Sequence, residues 1–221
     1  MLNNFIFIVM PYTALALLIF VAPYRFFTNR LTWSAYSTQF LERKSLFWGI
    51  NPWHYGIIPI LAAHFLAFIA PGPIKTLLGK QSNLVVIESI GLALGLFAVF
   101  GCIALLLRRV NAPILKKVTY GSDWFLLFLL AAQALSGVYI STFMRWGTEW
   151  YLYSAVPYFW SLATFNPQIE YMTDFPLILK LHAAGAFLIV SVLPFTKLVH
   201  LLYVPWRFLA DPPILYRWRT K

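Results

Sequence analysis

Four histidines are present in this chain, His54, His64, His182 and His200, and all four fall inside apolar stretches. Ionisable side chains are costly inside a lipid bilayer and mark function there by default. A neutral imidazole carries one lone pair for a metal and is a common axial ligand of haem iron. Two segments that carry two histidines each can therefore hold two haems, one above the other. The other reading of the same residues is interhelical hydrogen bonding in a packed core. Placement of all four as two pairs at corresponding levels favours the ligand reading. Zinc and di-iron sites fit less well, because no carboxylate or thiolate accompanies the histidines in these segments.

The elements that must position them are membrane spans. Of 221 residues, 61% are hydrophobic, 19% aromatic and only 11% charged, where a soluble domain carries about 25% charge. The composition predicts an all-α integral membrane bundle. Five apolar runs reach the roughly 20 residues of a crossing: 4–21, 52–70, 84–107, 123–144 and 176–204. Between the fourth and fifth runs, residues 145–175 are rich in Trp and Tyr and read as an interfacial segment. There Trp146, Trp150, Tyr151, Tyr153, Tyr158 and Trp160 are expected to form an aromatic belt. Residues 205–221 form a basic tail whose Trp206 and Trp218 suit a docking surface or a lipid contact. The whole chain, 1–221, reads as one membrane domain.

Net charge is +10, yet the basic residues flank apolar runs and form no single patch, which argues against nucleic acid. Lys75, Lys80, Arg145 and Lys180 lie on one side of the predicted bundle, and the remaining 13 of 17 basic residues, Arg30 and Arg43 among them, lie on the other. The positive-inside rule then places the N-terminus outside and the C-terminus in the cytoplasm. The N-terminal MLNNFIFIVM has no basic flank, so the first run reads as a retained helix and not a cleavable signal. Cys102 is the single cysteine; it excludes an internal disulfide, a C-x-x-C-H haem attachment and an all-cysteine iron–sulfur site, and it reads as a core thiol.

Antiparallel packing of the second and fifth runs pairs His54 with His200 on the inner side and His64 with His182 on the outer side. The spacings are ten and eighteen residues, or rises of about 15 Å and about 27 Å, and the first pair lies about 80° apart around a straight helix. Tilt, with kinks at Pro59 and Pro194, would reconcile the two. Ala62, Ala63 and the run Ala183, Ala184, Gly185 and Ala186 supply low walls that suit a flat macrocycle or close helix packing. Lys180 on the outer side, and Arg108, Arg109 and Lys197 on the inner side, suit haem propionates or topogenic charge. Asp123 is expected to cap the fourth helix.

Residues 31–65, LTWSAYSTQFLERKSLFWGINPWHYGIIPILAAHF, and residues 179–205, LKLHAAGAFLIVSVLPFTKLVHLLYVP, resemble the gamma subunit of respiratory nitrate reductases. The histidine spacings match that family as well. The resemblance implies two b haems held by His54 with His200 and by His64 with His182. It implies quinol oxidation near the outer haem, with electrons delivered through the inner haem to a cytoplasmic iron–sulfur subunit. That subunit would pass them to a molybdenum catalytic subunit, so terminal catalysis lies outside this chain. The family's lysine ahead of the third helix has Asn83 as its nearest counterpart, with Lys80 close by. Lys80, Asn83 and Glu88 are thus the expected quinol-site residues, Glu88 because it lies inside an apolar run. Equivalent membrane cytochromes of sulfite- or heterodisulfide-reductase type, or of a nitrite oxidoreductase, share this pattern. A non-redox membrane protein with structural histidines is the alternative from another class.

Overall fold

The computed structural model describes residues 1–28, 41, 42, 44–144 and 147–202. Arg30, Arg43, Arg145, Trp146 and the basic tail with Trp206 and Trp218 lie outside the described residues. Most of the described residues are helical, and none forms a strand. Five helices are long and apolar enough to cross a membrane: Leu2–Thr28, Ser45–Ile69, Gln81–Asn111, Gly121–Phe143 and Leu177–Phe195. Each overlaps one of the five runs read from the sequence, and the fifth ends at Phe195, short of the expected residue 204.

Helix α1, Leu2–Thr28, winds through two π turns at Phe5–Val9 and Leu17–Val21. Helix α2, Lys44–Ile69, runs unbroken through Pro52 and Pro59. Its N-terminus is closed by Glu42, whose carboxylate accepts from the Ser45 N–H at 2.8 Å and from the Ser45 hydroxyl. A carboxylate at this end satisfies an orphan amide and opposes the helix dipole. After α2 the chain turns at Ala70, and Pro71 starts the short α3, Pro71–Leu78. Helix α4, Gln81–Asn111, returns across the bundle. The short α5, Pro113–Lys117, leads to α6, Gly121–Phe143. The Tyr120 N–H donates to the Asp123 carboxylate at 3.2 Å, so Asp123 does help to close the start of α6.

Three consecutive helical pieces, Gly147–Trp150, Tyr151–Ala155 and Val156–Ala163, form α7, and α8 is the turn Glu170–Thr173. Helix α9, Leu177–Val192, carries His182. It gives way at Pro194 to a 3₁₀ turn, Leu193–Phe195, and then to an extended Thr196 (φ −119°, ψ 175°). A second 3₁₀ turn, Lys197–Leu201, carries His200. The eighteen residues between the two histidines are therefore not one straight helix. The break falls near Pro194, where the sequence predicts an interruption.

The helices pack in series: α2 on α4, α4 on α6, α6 on α9, and α9 on α1. The two histidine helices thus sit on either side of α4 and α6 and are not packed tightly on each other. The α2–α4 contact is the closest. A Cβ on Gly101 would lie 2.3 Å from the Trp53 nitrogen, and one on Gly56 would lie 2.5 Å from the Leu94 carbonyl oxygen. Glycine is required where backbones approach this closely, as is common between membrane helices. Trp53, Ala98 and Cys102 fill the space beside the crossing.

Helix α7 turns much of its aromatic surface inward. Tyr158 is fully buried among Phe7, Leu162, Met172 and Phe187, uniting α1, α7, α8 and α9. Its hydroxyl donates to the Phe7 carbonyl at 2.7 Å, and the Tyr12 hydroxyl donates to the Leu162 carbonyl at 3.1 Å. Tyr153 and Trp160 remain exposed, as membrane-interface aromatics do.

Candidate functional site

The rings of His54 and His200 have centroids 6.4 Å apart, inclined at 55°. The His64 ring meets the Tyr151 ring edge-on at 4.8 Å, and His182 is held on α9 against α6. The first approach joins α2 to the turn beyond α9.

Each ring is held by its Nδ1. His54 Nδ1 bonds the Ile50 carbonyl at 2.9 Å, His64 Nδ1 the Ile60 carbonyl at 2.8 Å, and His200 Nδ1 the Lys197 carbonyl at 2.6 Å. A carbonyl only accepts, so Nδ1 is the protonated nitrogen in these three, and a neutral ring then leaves its lone pair on Nε2. His182 differs. Its Nδ1 lies 2.8 Å from Ser136 Oγ, while the Ser136 hydroxyl donates to the Gln133 carbonyl at 2.9 Å. The serine oxygen is left to accept from Nδ1–H, so His182 presents Nε2 like the others. Metal-binding histidines are ordinarily oriented in this way through the second nitrogen.

The residues fit a haem held by two histidines. A metal–imidazole nitrogen bond is about 2 Å, so two rings facing across one metal have centroids about 6 Å apart; His54 and His200 are at that separation.

The other expected site residues are distributed as follows. Lys80 stands exposed at the start of α4. Asn83 donates its amide to the Leu77 carbonyl at 2.8 Å, closing the end of α3. The Glu88 carboxylate accepts from the Thr148 N–H at 3.3 Å, at the start of α7. One turn further along α7, Tyr151 donates its hydroxyl to the His64 carbonyl at 2.9 Å. Glu88 is therefore linked to the outer histidine level through α7. Burial pushes the Tyr151 phenol up to about 12, so it stays protonated and able to donate.

The four cations considered for propionates each have a protein partner. The Arg108 guanidinium donates from Nε to the Glu42 carboxylate and from a terminal nitrogen to the Glu42 carbonyl, both at 2.7 Å, and is buried. Arg109 lies 3.7 Å from the buried Asp123 carboxylate, and Lys197 donates to the same carboxylate at 2.8 Å. The Lys180 ammonium donates to the Thr173 carbonyl. Sequence reasoning missed Ser136 and Gln133, although two polar residues three apart in an apolar run were a usable signal. It also missed the inward roles of Tyr151 and Tyr158, because their neighbours in sequence are ordinary interfacial aromatics.

Among the described residues, five helices long and apolar enough to cross a membrane, with histidines drawn together from separate segments, define the class: an all-helical multi-pass membrane protein. The chain belongs to the nitrate reductase gamma subunit family, which matches residues 3–219. It is 29% identical over 216 residues to the nitrate reductase gamma chain of Bacillus subtilis, covering 96% of each chain. It is also 29% identical over 229 aligned positions to the respiratory nitrate reductase 1 gamma chain of Escherichia coli, covering 99% of this chain and 98% of that one. A cytochrome b-like subunit of an Hdr-like menaquinol oxidoreductase from Archaeoglobus fulgidus is 29% identical over 184 residues, spanning 79% of this chain and 54% of that protein. The chain is thus a multi-pass membrane subunit of an oxidoreductase that works in electron transport.

Proposed function

We propose that this chain is the dihaem b membrane subunit of a nitrate reductase-type complex, oxidising quinol near the outer side of the membrane. The observation that carries the reading is the common state of the four histidines: each is held through Nδ1 and leaves Nε2 for a metal, and His54 of α2 stands 6.4 Å from His200 of the turn beyond α9. His54 with His200 would hold the inner haem and His64 with His182 the outer one. When bound, the two haems supply one-electron relay centres between quinol and a cytoplasmic iron–sulfur subunit, which serves a molybdenum catalytic subunit.

The chain's own residues then divide the remaining work. A quinol at the outer level must lose two protons. Glu88, near the outer end of α4, would accept them and hand them outward, with Lys80 and Asn83 donating hydrogen bonds to the ring oxygens. Lys180 and Lys197 stand two and three residues from His182 and His200 and would pair with the haem propionates. Arg108 and Arg109 serve the inner end through Glu42 and Asp123. With the N-terminus outside, proton release occurs opposite to the side that receives electrons, and turnover builds membrane potential.

The match to the menaquinol oxidoreductase subunit supports a second reading, in which the same quinol-oxidising module serves another terminal reductase. A co-purified molybdenum subunit distinguishes the two. The direct test is a reduced-minus-oxidised spectrum with haem quantification on the membrane-assembled complex, for wild type, His64→Ala and His200→Ala. Two b haems in the wild type and one in each variant are expected. A folded, assembled wild type without haem would overturn the reading.

A further inference from the structure

We infer that Ser136 and Gly137 of α6 are positioning residues that set the orientation and electronic character of the outer-level ligand His182. This rests on the dihaem reading above. Three of the four histidines are oriented by a carbonyl of their own segment, from Ile50, Ile60 or Lys197. Such a bond travels with the helix and is insensitive to how that helix sits against its neighbours. His182 alone is oriented by a side chain from a different helix, Ser136 Oγ at 2.8 Å. The direction of that bond is set by the serine proton, which goes to the Gln133 carbonyl at 2.9 Å. The serine oxygen therefore accepts from Nδ1–H, which leaves the ring's lone pair on Nε2.

The same face of α6 holds the ring on a second side and holds the backbone beneath it. A Cβ on Gly137 would lie 3.3 Å from His182 Cε1, the carbon between the two ring nitrogens, so the absence of a side chain at 137 leaves the ring just enough room. The Gln133 amide donates to the His182 carbonyl at 3.0 Å. Its oxygen occupies the space over Gly185, where a Cβ would fall 2.3 Å away. Gln133, Ser136 and Gly137 thus clamp one turn of α9 at backbone and ring together. A bond from Nδ1–H raises the basicity of a ligating imidazole and fixes its plane. Loss of that bond makes the ring a weaker donor and favours the reduced metal. The consequence is a handle on one haem alone, transmitted through α6–α9 packing.

The test uses the assembled complex with Ser136→Ala, Ser136→Thr and Gly137→Ala. Haem content, redox titration and the low-temperature electron paramagnetic resonance of each haem are measured. Ser136→Ala is expected to keep both haems while moving one midpoint to more positive potential and shifting the resonance of that haem only. Ser136→Thr keeps the hydroxyl and is expected to restore both values. Gly137→Ala keeps the hydrogen bond but crowds the ring, and is expected to shift the resonance of the same haem. Loss of the outer haem alone in Ser136→Ala also supports the assignment. If Ser136→Ala does not assemble, Gly137→Ala decides. Unchanged midpoints and resonances of both haems overturn the inference while leaving the dihaem reading intact. A wild type without two haems overturns that reading instead.

Discussion

The Glu42 carboxylate shows how much one side chain outside the spans can do. It closes the start of α2 through Ser45 and holds the buried Arg108 of α4. The hydrogen bonds from Ser45, followed by that from Arg108, lower its pKa from 4.5 to about 2. Because the folded value is depressed, the stabilisation is complete above about 4.5 and is lost as the pH falls through about 2. Glu42→Gln should therefore be less stable than wild type at neutral pH, with the gap closing between pH 4.5 and 2. Thermal midpoints of the detergent-solubilised complex across that range check it; a pH-independent gap would contradict the assignment. The histidines are the residues most legible in the sequence, because an imidazole in an apolar run is costly unless it ligates a metal or finds a hydrogen-bond partner. Their partners were less legible. A carbonyl four residues back is implied by any helix, but Ser136 reaches His182 only through the packing of α6 on α9.

At the scale of elements, the α2–α4 crossing is what places His54. Gly101 faces the Trp53 backbone with no room for a methyl group, and Trp53 precedes His54 directly. Gly101→Ala forces the helices apart, at a cost of about 1–3 kcal/mol for overpacking. The displacement is expected at the inner histidine level, leaving His64 with His182 intact. Haem quantification should show preferential loss of one haem and a lowered thermal midpoint; a variant with both haems and an unchanged midpoint would refute this role for the crossing. The five spans themselves were legible because length and apolarity are local properties. The break after Val192 was only half legible: Pro194 signals interruption, but the extended Thr196 and the separate turn carrying His200 depend on where that turn docks. Its docking includes the ion pair of Lys197 with the buried Asp123.

For the whole molecule, α7 closes the bundle. It bonds the Phe7 carbonyl of α1 through Tyr158, the His64 carbonyl of α2 through Tyr151, and the Phe68 carbonyl near the end of α2 through Trp160. The charge distribution adds an orientation, with the α3–α4 junction expected outside and α5 in the cytoplasm. A membrane-impermeant thiol reagent should label Lys75→Cys on intact spheroplasts and Lys117→Cys only after permeabilisation. The native Cys102 is buried and needs no replacement. The reverse labelling pattern would invert the proposed direction of proton release. By itself the sequence determined the class of fold, the number of spans and the residues able to bind metal, since these follow from local apolarity and from side-chain chemistry. Tertiary structure alone decided which ring nitrogen each imidazole presents. It also decided that the aromatic segment is partly core, and that Arg108 and Lys197 are held by carboxylates. Those outcomes depend on contacts between residues tens of positions apart, where burial leaves each polar group no water and obliges it to find a partner in the protein.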